Sequence, residues 1–126
     1  MRIKFMLTAL TVTLGLFTAC SQQNNAPYQD ITVAEFKKKM ADPNVVILDV
    51  RTPQETSRGK IQGAVELDFN RPDFAAKAQE LDKSKTYLVY CAVGGRSAGA
   101  CSVMSGKGFK QLYNLKSGYS GWKNAE

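Results

Sequence analysis

Val45-Val46-Ile47-Leu48 is an unbroken run of β-branched and aliphatic side chains. Side chains alternate across a strand, so a run with no polar partner position suits a strand buried on both faces of a parallel sheet. The flanking sequence supplies layers to cover it. Thr32-Val33-Ala34-Glu35 forms a capping box, with Ile31 and Phe36 placed as a hydrophobic staple, and opens a helix to about Met40 that ends near Asp42-Pro43. Thr52-Pro53-Gln54-Glu55 is a second capping box, with proline at the first helical position. Further strands are expected over 64–68, 86–90 and 111–115. A helix is expected over 73–81, with Phe74, Ala78 and Leu81 on one face, and another over 97–105, stopped by Gly106-Lys107-Gly108. Gly121-Trp122 closes the domain. Alternating strands and helices imply an α/β fold: a small parallel sheet of about five strands with helices on both faces.

The first residues read as an address. Met1 to Lys4 is a short basic start, and residues 5–19 are apolar apart from threonines and one glycine. That run falls short of the roughly 20 residues needed to span a bilayer and matches a secretory signal. It ends Phe17-Thr18-Ala19-Cys20, which resembles the bacterial lipoprotein box with phenylalanine where leucine is preferred. Residues 1–19 are therefore expected to be a signal peptide and Cys20 the lipid acceptor. Residues 20–30 form a polar linker that reaches roughly 17 Å as a coil, and 31–126 form the folded domain. The expected location is the periplasmic side of a bacterial membrane. Ser21 favours the outer over the inner membrane by lipoprotein analogy.

Composition removes several chemistries. The chain has no histidine, which excludes His-dependent triads, most zinc sites and imidazole acid–base catalysis. The net charge of +6 falls to +4 without Arg2 and Lys4, a balance suited to small anions or an anionic surface. It is too scattered for nucleic acid. A monomer is expected.

Cys91-Ala92-Val93-Gly94-Gly95-Arg96-Ser97 begins where a buried strand ends and finishes where a helix begins. Ligands bind at that edge of open α/β sheets. Gly94 and Gly95 permit backbone conformations closed to other residues. The loop can then turn its N–H groups toward one spot, and the helix N-terminus adds positive potential. Ser97 reads as the N-cap. A thiol at the mouth of such a cup is expected to ionise readily. Arg96 adds planar donors suited to an oxyanion. Cys91 alone would read as a buried core thiol; the ordered set of cysteine, glycines, arginine and serine favours a site. Cys101 lies in a helix segment of small residues, where a core thiol is the simpler reading and a resolving cysteine the sharper one.

The stretch CAVGGRS resembles the active-site loop of the rhodanese family, whose pattern is Cys, four residues, Arg, Ser. The resemblance extends from about Tyr28 to Lys123. Asp49-Val50-Arg51-Thr52-Pro53 with Glu55 is similar to the family's Asp-Val-Arg segment. Gly59-Lys60-Ile61-Gln62-Gly63-Ala64 is similar to its Gly-His-Ile-Pro-Gly-Ala segment, with Lys60 and Gln62 departing from it. Gly108-Phe109, Leu112 to Leu115, and Gly118 with Gly121-Trp122 are similar to its closing segments. The resemblance implies sulfurtransferase activity: Cys91 takes sulfur from a donor such as thiosulfate as a persulfide and passes it to a thiol or to cyanide. It places Ala92, Val93, Gly94, Gly95, Arg96, Ser97 and Arg51 around the substrate and gives Asp49 an architectural role. No cofactor or metal is implied. Three alternatives stand beside it. Phosphatase and arsenate reductase relatives carry a loop one residue longer. A non-catalytic binding module usually lacks the cysteine. A thiol-disulfide oxidoreductase would pair Cys91 with Cys101, but the chain has no Cys-x-x-Cys motif.

Overall fold

The computed structural model describes residues 26–126. The expectation of a lipid on Cys20 falls outside them. The chain order is β1 (Gln29–Ile31), α1 (Val33–Lys39), β2 (Val45–Asp49), α2 (Pro53–Thr56), β3 (Val65–Glu66), α3 (Phe74–Gln79), β4 (Thr86–Tyr90), α4 (Gly95–Gly106), β5 (Leu112–Leu115) and α5 (Gly118–Asn124). The five strands form one sheet in the order β1-β5-β4-β2-β3, and every pairing is parallel. This is an α/β fold, a five-stranded parallel sheet flanked by helices, as the alternation of elements in the sequence indicates. No helix among the described residues is long and apolar enough to cross a membrane.

β4 lies in the middle and is buried along its whole length. Its side chains divide between two cores. Tyr87, Val89 and Cys91 join Leu48, Phe74, Ala100, Cys101 and Met104 on one face. Leu88 and Tyr90 join Ile31, Phe36, Ile61 and Leu115 on the other. Both capping boxes form as the sequence indicates: Thr32 and Thr52 each accept from the backbone N–H three residues on, and Glu35 and Glu55 reach back.

The structure differs from the expected element map in four places. The sheet begins at Gln29, inside the segment read as linker, because residues 29–31 pair in register with 113–115 of β5. β3 is only two residues long, since it opposes β2 only at Leu48 and Asp49 at the sheet edge. α4 starts at Gly95 rather than Ser97, with Gly94 as N-cap, so Ser97 lies inside the first turn and does not cap it. Residues 118–124 are helical although they hold two glycines. That helix is fixed by tertiary contacts: Tyr119 and Ser120 N–H donate to the carbonyls of Cys91 and Ala92, and Trp122 packs edge-on against Phe36 at 5.8 Å.

A buried polar cluster ties β2 to β4 below the sheet edge. Tyr90 donates its hydroxyl to Asp49 Oδ2 at 2.5 Å and accepts from Ile61 N–H at 3.0 Å. Asp49 also accepts from Arg51 Nη2 at 2.7 Å. Loss of one bridging hydroxyl therefore leaves a buried donor and a buried acceptor short of partners. Tyr90→Phe is expected to lower stability by about 1–3 kcal/mol. Urea unfolding checks this: the midpoint should fall with an unchanged slope, because the exposed surface on unfolding is the same.

Candidate active site

Cys91 directly follows β4, and four residues separate it from Arg96 in the first turn of α4. Gly94 turns the loop with φ +99, a conformation that side chains rarely adopt. A Cβ there would also collide with the carbonyl oxygen of Lys116, and one at Gly118 would collide with that of Ala92. Gly95 requires neither freedom: it is helical, and an added Cβ would meet nothing. The expected need for two glycines therefore reduces to one within the loop, with Gly118 as its counterpart outside it.

The sulfur sits at the closed end of this turn. Cys91 is 1% exposed. Gly94 N–H donates to Cys91 Sγ at 3.1 Å, and Ser97 Oγ lies 3.3 Å away. Burial acts to push the thiol up. Donation by the Ser97 hydroxyl and by the N–H groups of Ser97, Val93 and Gly94 outweighs it, so Cys91 ionises below the ordinary thiol value. The N-terminus of α4 adds to the same effect. Cys101 is equally buried and has the opposite fate: burial, with Asp30 and Cys91 nearby, pushes it up to about 12. Both cysteines are free thiols.

Around the loop, Ala92 is half-buried, and Val93 is 70% exposed at the tip. Arg96 does not project alone into the cup. Its Nη1 and Nη2 donate to Glu55 Oε2 and Oε1 at 2.8 and 2.7 Å. Glu55 thus serves twice, capping α2 and holding the guanidinium at the N-terminus of α4. Arg51, expected near the substrate, differs. It is 4% exposed, it is bound to Asp49, its Nη2 donates to the Gly59 carbonyl at 2.8 Å, and its guanidinium lies 4.1 Å from the Tyr119 ring centroid. The cause is its position on the β2 side of the sheet edge, where Asp49 is the nearest counter-charge. Its guanidinium is thus committed to Asp49 and to the Gly59 carbonyl.

Two further residues belong to the site beyond those expected from the sequence. Asn114 of β5 is buried; its Oδ1 lies 2.5 Å from Ser97 Oγ, and its Nδ2 donates to Asp30 Oδ1 at 2.8 Å and Gly94 O at 3.3 Å. Asp30 on β1 lies within the polar segment read as linker. A polar residue amid the apolar Leu112 to Leu115 run was the available clue to Asn114; Asp30 offered none. Among the described residues no cluster of His, Cys, Asp or Glu could hold a metal ion.

The profile of the rhodanese-like domain matches residues 32–125. The chain belongs to this family. A relative from Bacillus subtilis (strain 168), named "Putative sulfurtransferase YtwF", is 33% identical over 96 residues, which cover 75% of this chain and 90% of that protein. The tRNA uridine(34) hydroxylase of Nitrobacter winogradskyi is 31% identical over 121 residues, and the match spans only 47% of that longer protein. The crystal structure of SSP1007 from Staphylococcus saprophyticus superposes with a TM-score of 0.64 at 35% identity, covering 73% of this chain and 90% of that one. The rhodanese-like loop here is therefore set on a domain of matching size, clamped from outside by α5 and Glu55.

The Glu55–Arg96 pair yields a pH prediction. Donation by Arg96, resisted by burial and aided by Thr52, lowers Glu55 from 4.5 to about 2. A carboxylate lowered on folding stabilises the native state above its unfolded value, and that contribution is lost as pH falls through the folded value. Wild-type stability should therefore drop between about pH 5 and pH 2. Glu55→Gln should show a shallower drop over that window, together with lower stability at neutral pH. Equilibrium unfolding across the window measures both.

Proposed function

We propose that this rhodanese-like domain is a sulfurtransferase that carries sulfane sulfur as a persulfide on Cys91. The observation that carries the reading is a recessed thiol on which several donors converge, with no side-chain base hydrogen-bonded to it among the described residues. Such a sulfur ionises more readily than an ordinary thiol, which favours the nucleophile that attack on another sulfur needs. The naming of the Bacillus subtilis relative supports the same chemistry.

In the first half-reaction the Cys91 thiolate attacks the outer sulfur of a donor such as thiosulfate. The donor's S–S bond breaks, and sulfite departs with the electron pair. Arg96, held by Glu55 at the N-terminus of α4, and the α4 N-terminus itself are the groups this reading assigns to the departing anion. In the second half-reaction a nucleophilic acceptor, a thiol or cyanide, takes the outer sulfur and returns Cys91 as thiolate. The atoms and charges balance without an external oxidant or reductant. The 1% exposure of Cys91 favours small donors that enter the cup over bulky ones. The oxidoreductase alternative loses ground because Cys101 is buried, with a thiol pushed far above neutral pH.

Mass spectrometry of the protein after exposure to thiosulfate tests the reading: one added sulfur on the peptide containing Cys91 is expected. Cys91→Ser should abolish transfer in a folded protein, while Cys101→Ser should keep most of it. Equal loss in Cys101→Ser with the fold intact would favour the dithiol reading. Arg96→Ala removes the charge and leaves Glu55 without its partner, and transfer efficiency should fall by roughly tenfold to a thousandfold, reaching at its upper end the roughly hundredfold to thousandfold cost of a lost oxyanion donor.

We propose as well that Cys20 is acylated after removal of residues 1–19, holding the domain at the periplasmic side of a bacterial membrane. The basic start, the short apolar run and Ala19-Cys20 support this. Metabolic labelling with a fatty-acid analogue should mark the wild type and not Cys20→Ala; an unlabelled wild type would sink it.

A further inference from the structure

The Ser97 hydroxyl has more partners than hydrogens. Its oxygen lies 2.5 Å from Asn114 Oδ1, 3.2 Å from Gly94 O and 3.3 Å from Cys91 Sγ. Serine has a single O–H hydrogen, and amide and carbonyl oxygens only accept. A thiol can donate to Ser97; a thiolate can only accept from it. Asn114 cannot escape this contest by turning its amide over. Its Nδ2 donates to the Asp30 carboxylate and to Gly94 O, so a flip would set an oxygen against both. Asn114 is 3% exposed, and its Oδ1 is a fixed acceptor aimed at Ser97.

Building on Cys91 as the nucleophile, we infer that Asn114, oriented by Asp30, is a positioning residue that competes with the Cys91 thiolate for the hydrogen of Ser97. With Cys91 protonated, its S–H donates to Ser97 Oγ, and the Ser97 O–H donates to Asn114 Oδ1. On ionisation the Cys91 proton leaves to solvent. The Ser97 hydrogen swings to the sulfur without being transferred, and Asn114 Oδ1 loses its donor. When Cys91 carries sulfur, its own sulfur is neutral and the hydrogen returns to Asn114. The competition keeps the thiolate less stabilised than Ser97 and the loop amides alone would make it. That is useful, because thiolate nucleophilicity falls as its basicity falls.

Other groups facing Cys91 are accounted for. Arg96, paired with Glu55 of α2, stands at the N-terminus of α4; Cys101 lies further along that helix; Asp30 is behind Asn114 on β1; Lys116 follows β5. Gly94 O, 3.2 Å from Ser97 Oγ, also faces the Ser97 hydrogen and stays in place in every variant below; Asn114 Oδ1, at 2.5 Å and oriented by Asp30, is the nearer competitor.

The test is the pH dependence of Cys91 alkylation by iodoacetamide in the full chain, read on the Cys91 peptide by mass spectrometry. Asn114→Leu removes the nearer competing acceptor at similar size, and the apparent pKa of Cys91 should fall by up to about one unit, the scale of one hydrogen bond to a charged group. Asp30→Asn, at an exposed position, weakens the hold on Asn114 and should give a smaller fall. In a Ser97→Ala background both falls should vanish, because no hydrogen is left to compete for. A role limited to bracing Gly94 predicts the opposite sign, since a loosened loop donates less well to the sulfur. A rise or no change in either variant overturns the inference, as does a fall that persists without Ser97. Should Asn114→Leu fail to fold, Asp30→Asn in the two Ser97 backgrounds decides alone. The two readings fail separately: thiosulfate sulfur on Cys91 with unmoved alkylation profiles sinks only this inference, and moved profiles without sulfur on Cys91 sink only the proposed transfer.

Discussion

The carbonyls of Cys91 and Ala92 are held by the N–H groups of Tyr119 and Ser120, at 2.8 and 3.1 Å. The rest of the site depends on this clamp. A loop can point its N–H groups inward only if its carbonyls have partners on the outside, because buried backbone groups must be paired. α5 supplies those partners, and Gly118 lets it come close enough to do so. Gly94, in a left-handed turn against Lys116, then reverses the chain so that its own N–H meets the sulfur. The C-terminal helix, which looks like a simple closure of the domain, is thus what shapes the cup.

The two cysteines show how far such donors matter. Both lie in the same core and both are shut off from solvent. Desolvation alone would hold both as neutral thiols, and for Cys101 it does. For Cys91 a serine hydroxyl and the amides of the loop turn the balance the other way. A buried thiol is inert or reactive according to its donors, and sequence context alone distinguishes these two only through the loop that follows Cys91.

Much of the architecture was legible in the chain. The Val45 to Leu48 run announced a strand buried on both faces, the two capping boxes marked α1 and α2 at their first residues, and the glycine-containing loop after β4 marked the site. What escaped was set by distant contacts. α5 forms despite two glycines because Cys91, Ala92 and Phe36 hold it. Asp30 and Gln29 look like linker because polarity, not pairing, is what a sequence displays; β5 makes them a strand. Ser97 has the chemistry of an N-cap, yet the turn at Gly94 starts the helix earlier and carries the serine inward to the sulfur. Arg51 and Arg96 both read as anion ligands, since nothing in their own neighbourhoods fixes which carboxylate, Asp49 or Glu55, will claim them or how completely.

The central claim is that the folded loop lowers the Cys91 thiol in spite of its burial. The most direct test is a spectroscopic pH titration of thiolate absorbance, taken as the difference between the wild type and Cys91→Ser. The account predicts a single transition assigned to Cys91 below the ordinary thiol value of about 8.5, lost on unfolding. A transition at or above that value in the folded protein would mean that burial prevails over the converging donors, and would contradict the account.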